Sequence, residues 1–574
     1  MTAPRKPLTA LLRSAEGWLA FRNPVSTRTA TTLDDVIPLI TEVEQAAQKG
    51  LHAVLAISYE ASPAFDAALK VHPSSGTPLV WAAFFDKVER GIPDALPIVL
   101  NAWTSSESLA DYTARIQRIR DLIASGDTYQ VNYTFPLHGQ FDGDPLDLFL
   151  RLADAQRAPH SAFIDAGDFA ICSASPELFF TKSEDTITCQ PMKGTTTRGL
   201  TLEDDEAHAR ALALSEKNRA ENIMIVDMVR NDLGRIAIPG TVRTTSLFDV
   251  TRFPTIWQMT STVEAKSKAG LCDILKALFP SASVTGAPKV RTMEIIRELE
   301  TGPRGFYTGT IGHVSPDGHM HFNVAIRTAV IDKKSGQATY GIGSGIVWDS
   351  NADSEYAECL AKSRILEHAP EPVSLFETIR WTKSEGFFLL ENHLMRLRAS
   401  CAYFDIPCNF TAIQDALNAA SKTWTTTSLR VRLVTNDKGQ VTIDTAALPP
   451  PSDKPWKLAF AKEPVDSTNP RLYHKTTKRQ IYEDAKKSMP GVDDVILWNE
   501  RGEVTESTIA NIIVEIEGKK WTPQLSSGLL PGILRQHLLT SGEIEEDILT
   551  REDLKNASRI FLVNALRGWI EATL

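Results

Sequence analysis

The sequence has no excess of positive charge and no long apolar run. Its 574 residues include 61 Lys and Arg against 71 Asp and Glu, a formal net charge of −10 at pH 7. Nucleic-acid binding needs a basic surface, so this balance argues against that class. No stretch of about 18 apolar residues occurs, so no membrane span is expected. The segment from Met1 to Arg13 also lacks the apolar centre of a signal peptide, and we expect a cytoplasmic protein.

Cysteine is scarce, and the six residues are scattered without a Cys-x-x-Cys pair. Neither a zinc site nor a disulfide framework is therefore expected. His319 and His321 alternate on one predicted strand without a third ligand, which is more often incidental than metal-binding. The run Gly341–Gly345 lacks the Gly-x-Gly-x-x-Gly spacing, and no Walker A sequence is present, so a nucleotide site is not expected.

The chain is too long for a single core, and at about 150 residues per domain it predicts three or four structural units. Two prolines stop a helical pattern near residues 368–373. We therefore predict one domain over 1–368, a linker over 369–373 and a second domain over 374–574. The proline cluster Pro449–Pro451 predicts two lobes in the second domain, at about 374–448 and 452–574.

Strand-like runs mix with helical segments along the chain, and we expect an α+β protein. Three predicted helices matter for chemistry. They span Glu216 to Leu233 with Ser215 as N-cap and Gly234 as stop, Pro288 to near Gly302, and about Ser354 to Glu367. The clearest strand patterns are Ala53–Ile57, Leu178–Phe180, Phe387–Leu390 and Leu429–Val434.

The first half contains a candidate nucleophile and several candidate acids. Lys193 lies in a Gly/Thr-rich turn, and Glu177 begins an apolar strand where burial would raise its pKa and suit it to proton donation. Glu221, Glu355 and Glu358 are helical carboxylates of the kind that hold Mg²⁺, the last two being three positions apart on one face. Each signal alone is weak, because an isolated helical Glu is usually a solvated surface residue.

The order in which these motifs occur is more specific than any one of them. The series is Gly126–Asn132, Ser175–Phe179, Pro191–Thr195, Ala220–Asp227, Arg230–Gly234, Thr285–Lys289, Ala325–Thr328, Gly343–Val347 and Glu355–Glu358. In the order of its motifs and in their residues, the series resembles the chorismate-utilising family across roughly residues 50–368. A lysine between Pro-Met and Gly-Thr-Thr resembles the members that aminate chorismate at C4, whereas anthranilate synthases usually carry a small residue there.

This resemblance implies a β-sandwich flanked by helices and a role for each matching residue. Glu221 and Glu358, with Glu355 nearby, would hold Mg²⁺. Glu177 would protonate the departing 4-hydroxyl while Lys193 attacks C2, after which ammonia enters at C4 and expels the lysine. The implied substrate contacts are Thr195, Thr285, Tyr307, Arg327, Gly343, Gly345 and Lys362.

The sequence departs from the family pattern at two positions, and one expected motif is missing. Gln258 stands where many relatives have His, and an amide cannot transfer a proton. Ala361-Lys362-Ser363 replaces the more usual Asn-Lys-Ala. No cysteine lies in the Gly-x-Cys-x-Gly elbow of a glutaminase, so a separate glutamine amidotransferase subunit is expected to supply ammonia.

The second half carries a different ordered set of motifs. They are Leu375–Arg380, Leu390–Leu397, Tyr473–Thr477, Gly502–Asn511 and Leu530–Arg535. Their order and spacing resemble the fold-type IV pyridoxal phosphate (PLP) enzymes, which include branched-chain aminotransferases and 4-amino-4-deoxychorismate lyase. A two-lobed domain and, by analogy, a homodimer are implied.

This second resemblance implies a set of cofactor-binding residues. Lys475 would be the imine-forming lysine, and Glu506 would pair with the pyridine nitrogen. The first helical amides at Ile533 and Leu534, with Arg396, would hold the phosphate. His393 is interpreted as structural.

Together the two halves predict a bifunctional enzyme that converts chorismate and ammonia to 4-amino-4-deoxychorismate and then eliminates pyruvate to give p-aminobenzoate. One alternative is an anthranilate- or isochorismate-type synthase fused to a transaminase of the branched-chain or D-amino-acid type. Another is an inactive regulatory or scaffold subunit.

Overall fold

A computed structural model describes residues 7–74, 76–93, 95–96, 98, 102–366, 372–450 and 454–574. The chain forms two compact bodies. The first body comprises Met1–Thr197 and Ala209–Pro370, and the second body comprises Arg198–His208 and Glu371–Leu574. Within the described residues, no helix has the length and apolar character needed to cross a membrane. The predicted linker over 369–373 lies largely outside the described residues, as does Pro451 of the predicted inter-lobe segment.

The first body is built mainly from antiparallel strands. Its strands are β1 Ala10–Ser14, β2 Gly17–Phe21, β3 Ser26–Ala30, β4 His52–Ile57, β5 Val80–Phe85, β6 Glu89–Arg90, β7 Thr104–Ser105, β8 Gln130–Gln140, β9 Ala162–Asp165, β10 Phe169–Ser173, β11 Leu178–Ser183, β12 Thr186–Gln190, β13 Met192–Thr197, β14 Arg243–Arg252, β15 Ile256–Lys266, β16 Gly286–Ala287, β17 Thr310–Val314, β18 Met320–Val324, β19 Thr328–Asp332 and β20 Gln337–Ile346.

Nine α-helices are described before the second half of the chain begins. They are α1 Leu33–Gln48, α2 Ser62–Phe65, α3 Leu109–Ala124, α4 Pro145–Gln156, α5 Leu202–Leu214, α6 Glu216–Gly234, α7 Leu271–Leu278, α8 Lys289–Leu299 and α9 Ala352–Ser363. The division between the two bodies falls within α5.

Two ten-stranded sheets form a sandwich in the first body. One runs β16-β8-β20-β19-β10-β9-β1-β2-β6 with β7 beside β8, and the other runs β13-β15-β12-β11-β18-β17-β4-β5-β3 with β14 beside β15. Alternate residues of facing strands, such as Leu12, Phe21, Val54 and Phe85, share one core between the sheets. This is the packing expected when each sheet has one apolar face to bury.

Helices cover the outer faces of both sheets. The apolar sides of α1, α6 and α7 pack on one sheet, and those of α3, α4 and α8 pack on the other. The predicted β-sandwich flanked by helices is therefore confirmed.

The second body contains two sheets. Its strands are β21 Leu375–Thr382, β22 Gly386–Phe387, β23 Ser428–Thr435, β24 Val441–Ala447, β25 Trp456–Phe460, β26 Asp494–Trp498, β27 Val504–Ser507, β28 Asn511–Ile516, β29 Lys519–Pro523, β30 Glu545–Asp547, β31 Arg559–Asn564 and β32 Gly568–Thr573. Its helices are α10 Leu390–Phe404, α11 Phe410–Ser421, α12 Gln480–Ser488, α13 Ile533–Thr540 and α14 Arg551–Asn556.

These strands form two separate sheets, one from β21–β24 and one from β25–β32. The order β22-β21-β23-β24 makes a four-stranded sheet, and β27-β26-β25-β32-β31-β28-β29-β30 makes an eight-stranded sheet. The predicted strand Phe387–Leu390 is wrong beyond its first residue, because β22 ends at Phe387 and α10 begins at Leu390. The run is too short and too apolar for periodicity to separate a strand end from a helix start.

The three helices predicted around the chemistry are present with small shifts at their ends. Ser215 caps α6 by accepting from the Asn218 amide, as predicted, and α6 includes Gly234. Pro288 is the N-cap of α8 rather than its first residue. Helix α9 begins two residues early, at Ala352, and a 3₁₀ turn follows it over Arg364–Leu366.

Candidate functional sites

A cavity of about 360 Å³ lies in the first body, where β13, β20, α6 and α9 meet. Most residues of the predicted chorismate site line it: Glu177, Lys193, Thr195, Glu221, Tyr307, Arg327, Gly343, Gly345, Glu355, Glu358 and Lys362. Thr285 is the exception, because it is fully buried and its hydroxyl donates to the Ser281 carbonyl. A direct substrate contact from Thr285 would require that hydroxyl to change partners.

Lys193 is surrounded by protein but opens onto this cavity. Burial lowers the pKa of its amine, and the nearby Glu221 carboxylate opposes that shift without reversing it. Lys193 and Gly194 lie within β13 and not in the turn that the sequence predicted. The register of β13 with β15 shifts between Met192 and Thr195, and Gly194 there has a φ of 96°, in the region that glycine adopts without strain. The amine is therefore placed in the cavity with an increased neutral fraction, the form that can act as a nucleophile.

Gln130 is a neighbour of Lys193 that the sequence interpretation did not single out. An ideal Cβ on Gly345 would lie 2.5 Å from Lys193 Nζ and 2.6 Å from Gln130 Nε2, so the two nitrogens share the space that this glycine leaves. Gln130 is fully buried, and both amide atoms lack a hydrogen-bond partner in the described structure. A buried amide without a partner beside a nucleophile can bind a small polar species there. Its position in the Gly126–Asn132 motif was the only sequence signal.

Glu177 is the group best suited to hold a proton in this cavity. It is buried at the start of β11, and burial raises the pKa of its carboxyl to about 7. Ser283 donates to Glu177 Oε1 at 2.5 Å and fixes the carboxyl orientation. A carboxyl with this pKa is protonated in a large fraction near neutral pH, as a general acid requires.

Three carboxylates from two helices face the cavity from the opposite side. Burial raises the pKa of Glu221, and Glu355 and Glu358 add to that shift through repulsion. Glu358 pairs with Lys362 at 2.8 Å, and Lys362 also donates to the Gly343 carbonyl at 2.9 Å. Burial opposes ionisation of Glu358, but Lys362 outweighs it and lowers the pKa of Glu358. Within the described ranges no three acidic, His or Cys side chains stand close enough to form a metal cluster by themselves.

This carboxylate set fits Mg²⁺ as an ion with few protein ligands. Glu221 and Glu358 supply hard oxygen donors on one cavity, and Mg²⁺ commonly keeps several waters or substrate oxygens. Glu355 accepts from the Ser350 hydroxyl at 2.8 Å, which suits an outer position better than a direct ligand.

Arg327 and Tyr307 supply the cationic and hydroxyl side of the cavity. Arg327 is buried and has a φ of 51°, a costly conformation for a residue with a side chain. Its guanidinium contacts Gln156. Gly341 leaves room for the Tyr307 ring, because a Cβ there would come within 2.2 Å of it. The strained backbone of Arg327 and the absence of a Cβ at Gly341 allow the Arg327 guanidinium and the Tyr307 phenol to line the cavity. A cation and a hydroxyl in this position suit an anionic substrate.

Gln258, the departure from the family pattern, joins two strands at the cavity edge. Its Oε1 accepts from the Thr195 hydroxyl and its Nε2 donates to the Gly194 carbonyl, both at 2.9 Å. It thereby holds the irregular part of β13 that follows Lys193, a positioning role that needs no proton transfer.

A second site lies in the second body around Lys475. Burial lowers the pKa of Lys475 to about 8, and Arg396 acts in the same direction. Its Nζ lies 4.8 Å above the Phe376 ring. The charges of Glu377 and Glu506 also act on this amine, so the predicted lysine and carboxylate occupy one neighbourhood.

Glu506 belongs to a hydrogen-bonded network that reaches the predicted phosphate turn. Its carboxylate accepts from the Tyr482 hydroxyl at 2.8 Å and from the Leu530 amide at 3.2 Å. Burial raises the pKa of Glu506 to about 7. A protonated pyridine nitrogen of a bound cofactor beside it would favour the ionised carboxylate. Asn511 donates to both Glu506 and the Leu530 carbonyl. A Cβ on Gly532 would lie 1.8 Å from Asn511 Oδ1, so a side chain there would displace Asn511 from its hydrogen bonds.

Arg396 is held against the same turn from the other side. Its guanidinium binds both carboxylate oxygens of Glu377, at 2.9 and 2.6 Å, and donates to the Pro531 carbonyl at 3.0 Å. His393 Nδ1 lies 2.7 Å from Glu377, while its buried Nε2 has no hydrogen-bond partner in the described structure. Helix α13 begins at Ile533, so the amides of Ile533 and Leu534 are at its N-terminus.

These residues fit PLP. The site combines a lysine of lowered pKa, a buried carboxylate, a fixed arginine and a glycine turn that opens a helix. Glu377, Tyr482 and Asn511 complete the arrangement, and only side-chain packing reveals their roles.

Comparisons with known proteins agree with this two-part arrangement. Residues 93–368 match the family described as chorismate binding enzyme, and residues 374–574 match the family described as amino-transferase class IV. Over 273 residues the chain is 42% identical to aminodeoxychorismate synthase component 1 of Salmonella typhimurium, covering 47% of this chain and 60% of that protein. Over 267 residues it is 38% identical to anthranilate synthase component 1 of Streptomyces coelicolor, covering 46% and 52%.

A solved structure shows the same fold for the first part. The anthranilate synthase component I of Streptococcus pneumoniae superposes with a TM-score of 0.53 at 24% identity, covering 64% of this chain and 94% of that one. The chain spans about 60% of the length of the aminodeoxychorismate synthase relatives it matches. The predicted fold class, a chorismate-utilising sandwich followed by a class IV aminotransferase domain, is confirmed.

Proposed function

Because this chain joins a domain of the chorismate binding enzyme family to a domain of the class IV aminotransferase family, we propose that it makes p-aminobenzoate from chorismate in two steps. The observation that carries the proposal is the presence of two buried lysines of lowered pKa in separate bodies. Lys193 lies beside a raised-pKa acid, and Lys475 lies in a PLP-type environment.

The first step is the amination of chorismate at C4. Glu177 donates a proton to the departing 4-hydroxyl while the neutral Lys193 amine forms a bond to C2. Ammonia then adds at C4, the bond from Lys193 to C2 breaks, and 4-amino-4-deoxychorismate leaves. Arg327 and Tyr307 would bind a carboxylate of the substrate, helped by the open backbone at Gly343 and Gly345. Thr195 and Lys362 line the same space.

Mg²⁺ is the proposed metal of the first site. Glu221 and Glu358 would hold it, with Glu355 nearby, and the ion would supply positive charge for the ring carboxylate. Fixing the substrate there would keep C2 near Lys193 and C4 near Glu177.

The second step is elimination of pyruvate from 4-amino-4-deoxychorismate. PLP, when bound, supplies an electron sink for the substrate amine. Lys475 removes the proton at C4 of the ring, the C3–oxygen bond breaks, and the ring becomes aromatic. Glu506 would hold the ring nitrogen, while Arg396 and the amides of Ile533 and Leu534 would hold the phosphate.

A partner must supply ammonia. The described cysteines are free thiols, and none lies in a glutaminase elbow of the sequence. We propose a separate glutamine amidotransferase subunit, in keeping with the name component 1 of the relatives. A homodimer through the second body and a cytoplasmic location remain predictions, and the free thiols favour a reducing compartment.

The decisive experiment supplies chorismate, Mg²⁺, PLP and ammonium to the purified chain and identifies the aromatic product. p-Aminobenzoate with pyruvate supports the proposal. o-Aminobenzoate would refute it in favour of an anthranilate-type synthase, an alternative that the Streptomyces coelicolor relative keeps relevant. Inertness toward chorismate with every nitrogen donor would favour a scaffold subunit. Replacing ammonium by glutamine should abolish amination unless an amidotransferase is added.

A further inference from the structure

A short segment that precedes the linker in sequence belongs to the second body. The strand β13, which carries Lys193, ends at Thr197, and the following residues, Arg198–His208, pack with Glu371–Leu574. We call Arg198–Asp205 the inserted segment. Its sequence lies inside the residues that match the chorismate binding family.

The inserted segment consists of a short loop and the first turn of α5, joined by hydrogen bonds of their own. Asp205 Oδ1 accepts from the Gly199 amide at 2.9 Å and from Arg198 Nε at 2.6 Å. The Leu200 amide donates to Asp204 at 2.9 Å. Gly199 is required, because a Cβ there would lie 2.2 Å from the backbone nitrogen of Asp205.

The inserted segment holds Tyr403 at the end of α10. The Tyr403 hydroxyl donates to the Gly199 carbonyl at 2.8 Å. Arg198 donates to the Tyr403 carbonyl at 3.0 Å, and its guanidinium lies 4.6 Å from the Tyr403 ring. Tyr403 is therefore fixed at its hydroxyl, its ring and its backbone.

The same segment supplies a partner to His474, the residue before Lys475. The His474 ring packs 4.3 Å from the Tyr403 ring, and its Nε2 lies 3.1 Å from the Leu200 carbonyl. A carbonyl only accepts hydrogen bonds, so Nε2 carries the hydrogen. Burial lowers the pKa of His474 to about 4, so the ring is neutral and Nδ1 accepts from the Ser400 hydroxyl at 2.9 Å.

His474 connects directly to the backbone that presents Lys475. The Thr476 amide donates to the His474 carbonyl at 2.9 Å, and the Phe376 amide donates to the Lys475 carbonyl at 2.9 Å. A ring held in one tautomer and orientation therefore restrains the adjacent lysine, whose reach to a cofactor depends on small displacements.

We propose that the inserted segment is a positioning element of the second body. It fixes His474 through the Leu200 carbonyl and thereby sets the position of Lys475. The second body then includes residues from within the sequence that matches the chorismate binding family. The role in lyase turnover rests on the proposed function, whereas the role in ordering Lys475 and binding PLP does not.

The test uses full-length variants with matched controls. Gly199→Ala disrupts the inserted segment without removing a charge, and Gly302→Ala is its control, because a Cβ at Gly302 meets nothing within 4 Å. Tyr403→Phe removes the single hydrogen bond to Gly199. Tyr133→Phe is its control, since that hydroxyl donates to Glu107 within the first body.

The first readouts need no turnover. In the PLP-free protein, hydrogen exchange at the Phe376 amide should be faster in Gly199→Ala and Tyr403→Phe than in either control. The Kd for PLP should rise about tenfold or more in Gly199→Ala, and pyruvate release from added 4-amino-4-deoxychorismate should slow about 10- to 100-fold. Unchanged exchange and an unchanged Kd in both disrupting variants would overturn the proposal. Should Gly199→Ala fail to fold, Tyr403→Phe decides alone.

A double-mutant cycle tests whether the effect passes through His474. His474→Phe removes the bond to Leu200, and adding Gly199→Ala to it should cause no further rise in the Kd for PLP. His474→Gln, whose amide can donate to Leu200, should recover part of the affinity. An equal rise in both backgrounds would show that the segment does not act through His474. If the wild-type chain binds PLP but releases no pyruvate, the proposed lyase activity fails, while the exchange and Kd comparisons still decide the role of the segment.

Discussion

Replacing Glu177 with glutamine should slow amination strongly and at the same time make the protein more stable than the wild type at neutral pH. Glutamine has nearly the same shape and can still accept the hydrogen bond from Ser283, which lies 2.5 Å from Glu177 Oε1. It cannot give a proton to a departing hydroxyl, so amination should slow by about 10²- to 10⁴-fold. In the wild type, amination should also decline as pH rises through about 7, where Glu177 loses its proton.

The stability change follows from the direction of the pKa shift. Burial raises the pKa of Glu177 from 4.5 to about 7, so between these values the folded protein keeps a proton that the unfolded chain has released. Rising pH therefore lowers the free energy of unfolding across this window, by roughly 3 kcal/mol at 1.36 kcal/mol per pKa unit. Glutamine has no such titration, so the variant should gain up to this amount relative to the wild type.

Calorimetric unfolding from about pH 5 to about pH 8, beside an ammonium-dependent amination assay, measures both effects. Glu298→Gln is the control, since this carboxylate is exposed on α8 with a side-chain exposure of 60%. It should leave amination and the pH dependence of unfolding unchanged. Amination by Glu177→Gln at the wild-type rate, or unfolding that differs from the wild type by a constant amount at every pH, would refute the assignment of a buried general acid.

Three further substitutions separate the two sites. Lys193→Ala should lose amination while still releasing pyruvate from added 4-amino-4-deoxychorismate, and loss of both activities in a folded variant would contradict the independence of the two steps. Lys475→Ala should lose the visible absorbance of bound PLP and all pyruvate release but still consume chorismate when ammonium is supplied; retained absorbance would show that another lysine binds the cofactor. Gly532→Ala should raise the Kd for PLP, because the new Cβ would lie 1.8 Å from Asn511 Oδ1. Spectrophotometric titration with PLP measures this Kd, and an unchanged value would exclude this turn from the phosphate site.

The ordered motifs predicted most of the residues that share the first cavity, although Thr285 does not line it and Gln130 was not singled out. Glu177, Glu221 and Glu358 are far apart along the chain, yet the ordered motifs predicted their convergence, and all three line one cavity. Local patterns predicted α6 equally well, because the Ser215 cap and apolar spacing act within one turn. The same local rules failed at Phe387–Leu390, where a two-residue strand passes into a helix.

What the sequence could not supply was the partner of each buried polar group. Nothing local in Gln130 or Gln258 distinguishes an amide without a partner from one that joins two strands, because that difference depends on which strands pair. The inserted segment makes the same point on a larger scale. In sequence, Arg198–Asp205 lies between two elements of the first body, but the acceptor that His474 needs, the Leu200 carbonyl, is revealed only by the packing of this segment with the second body. Which compact body a segment belongs to thus depends on hydrogen bonds between buried groups that are far apart in sequence. The order of the motifs does not predict those hydrogen bonds.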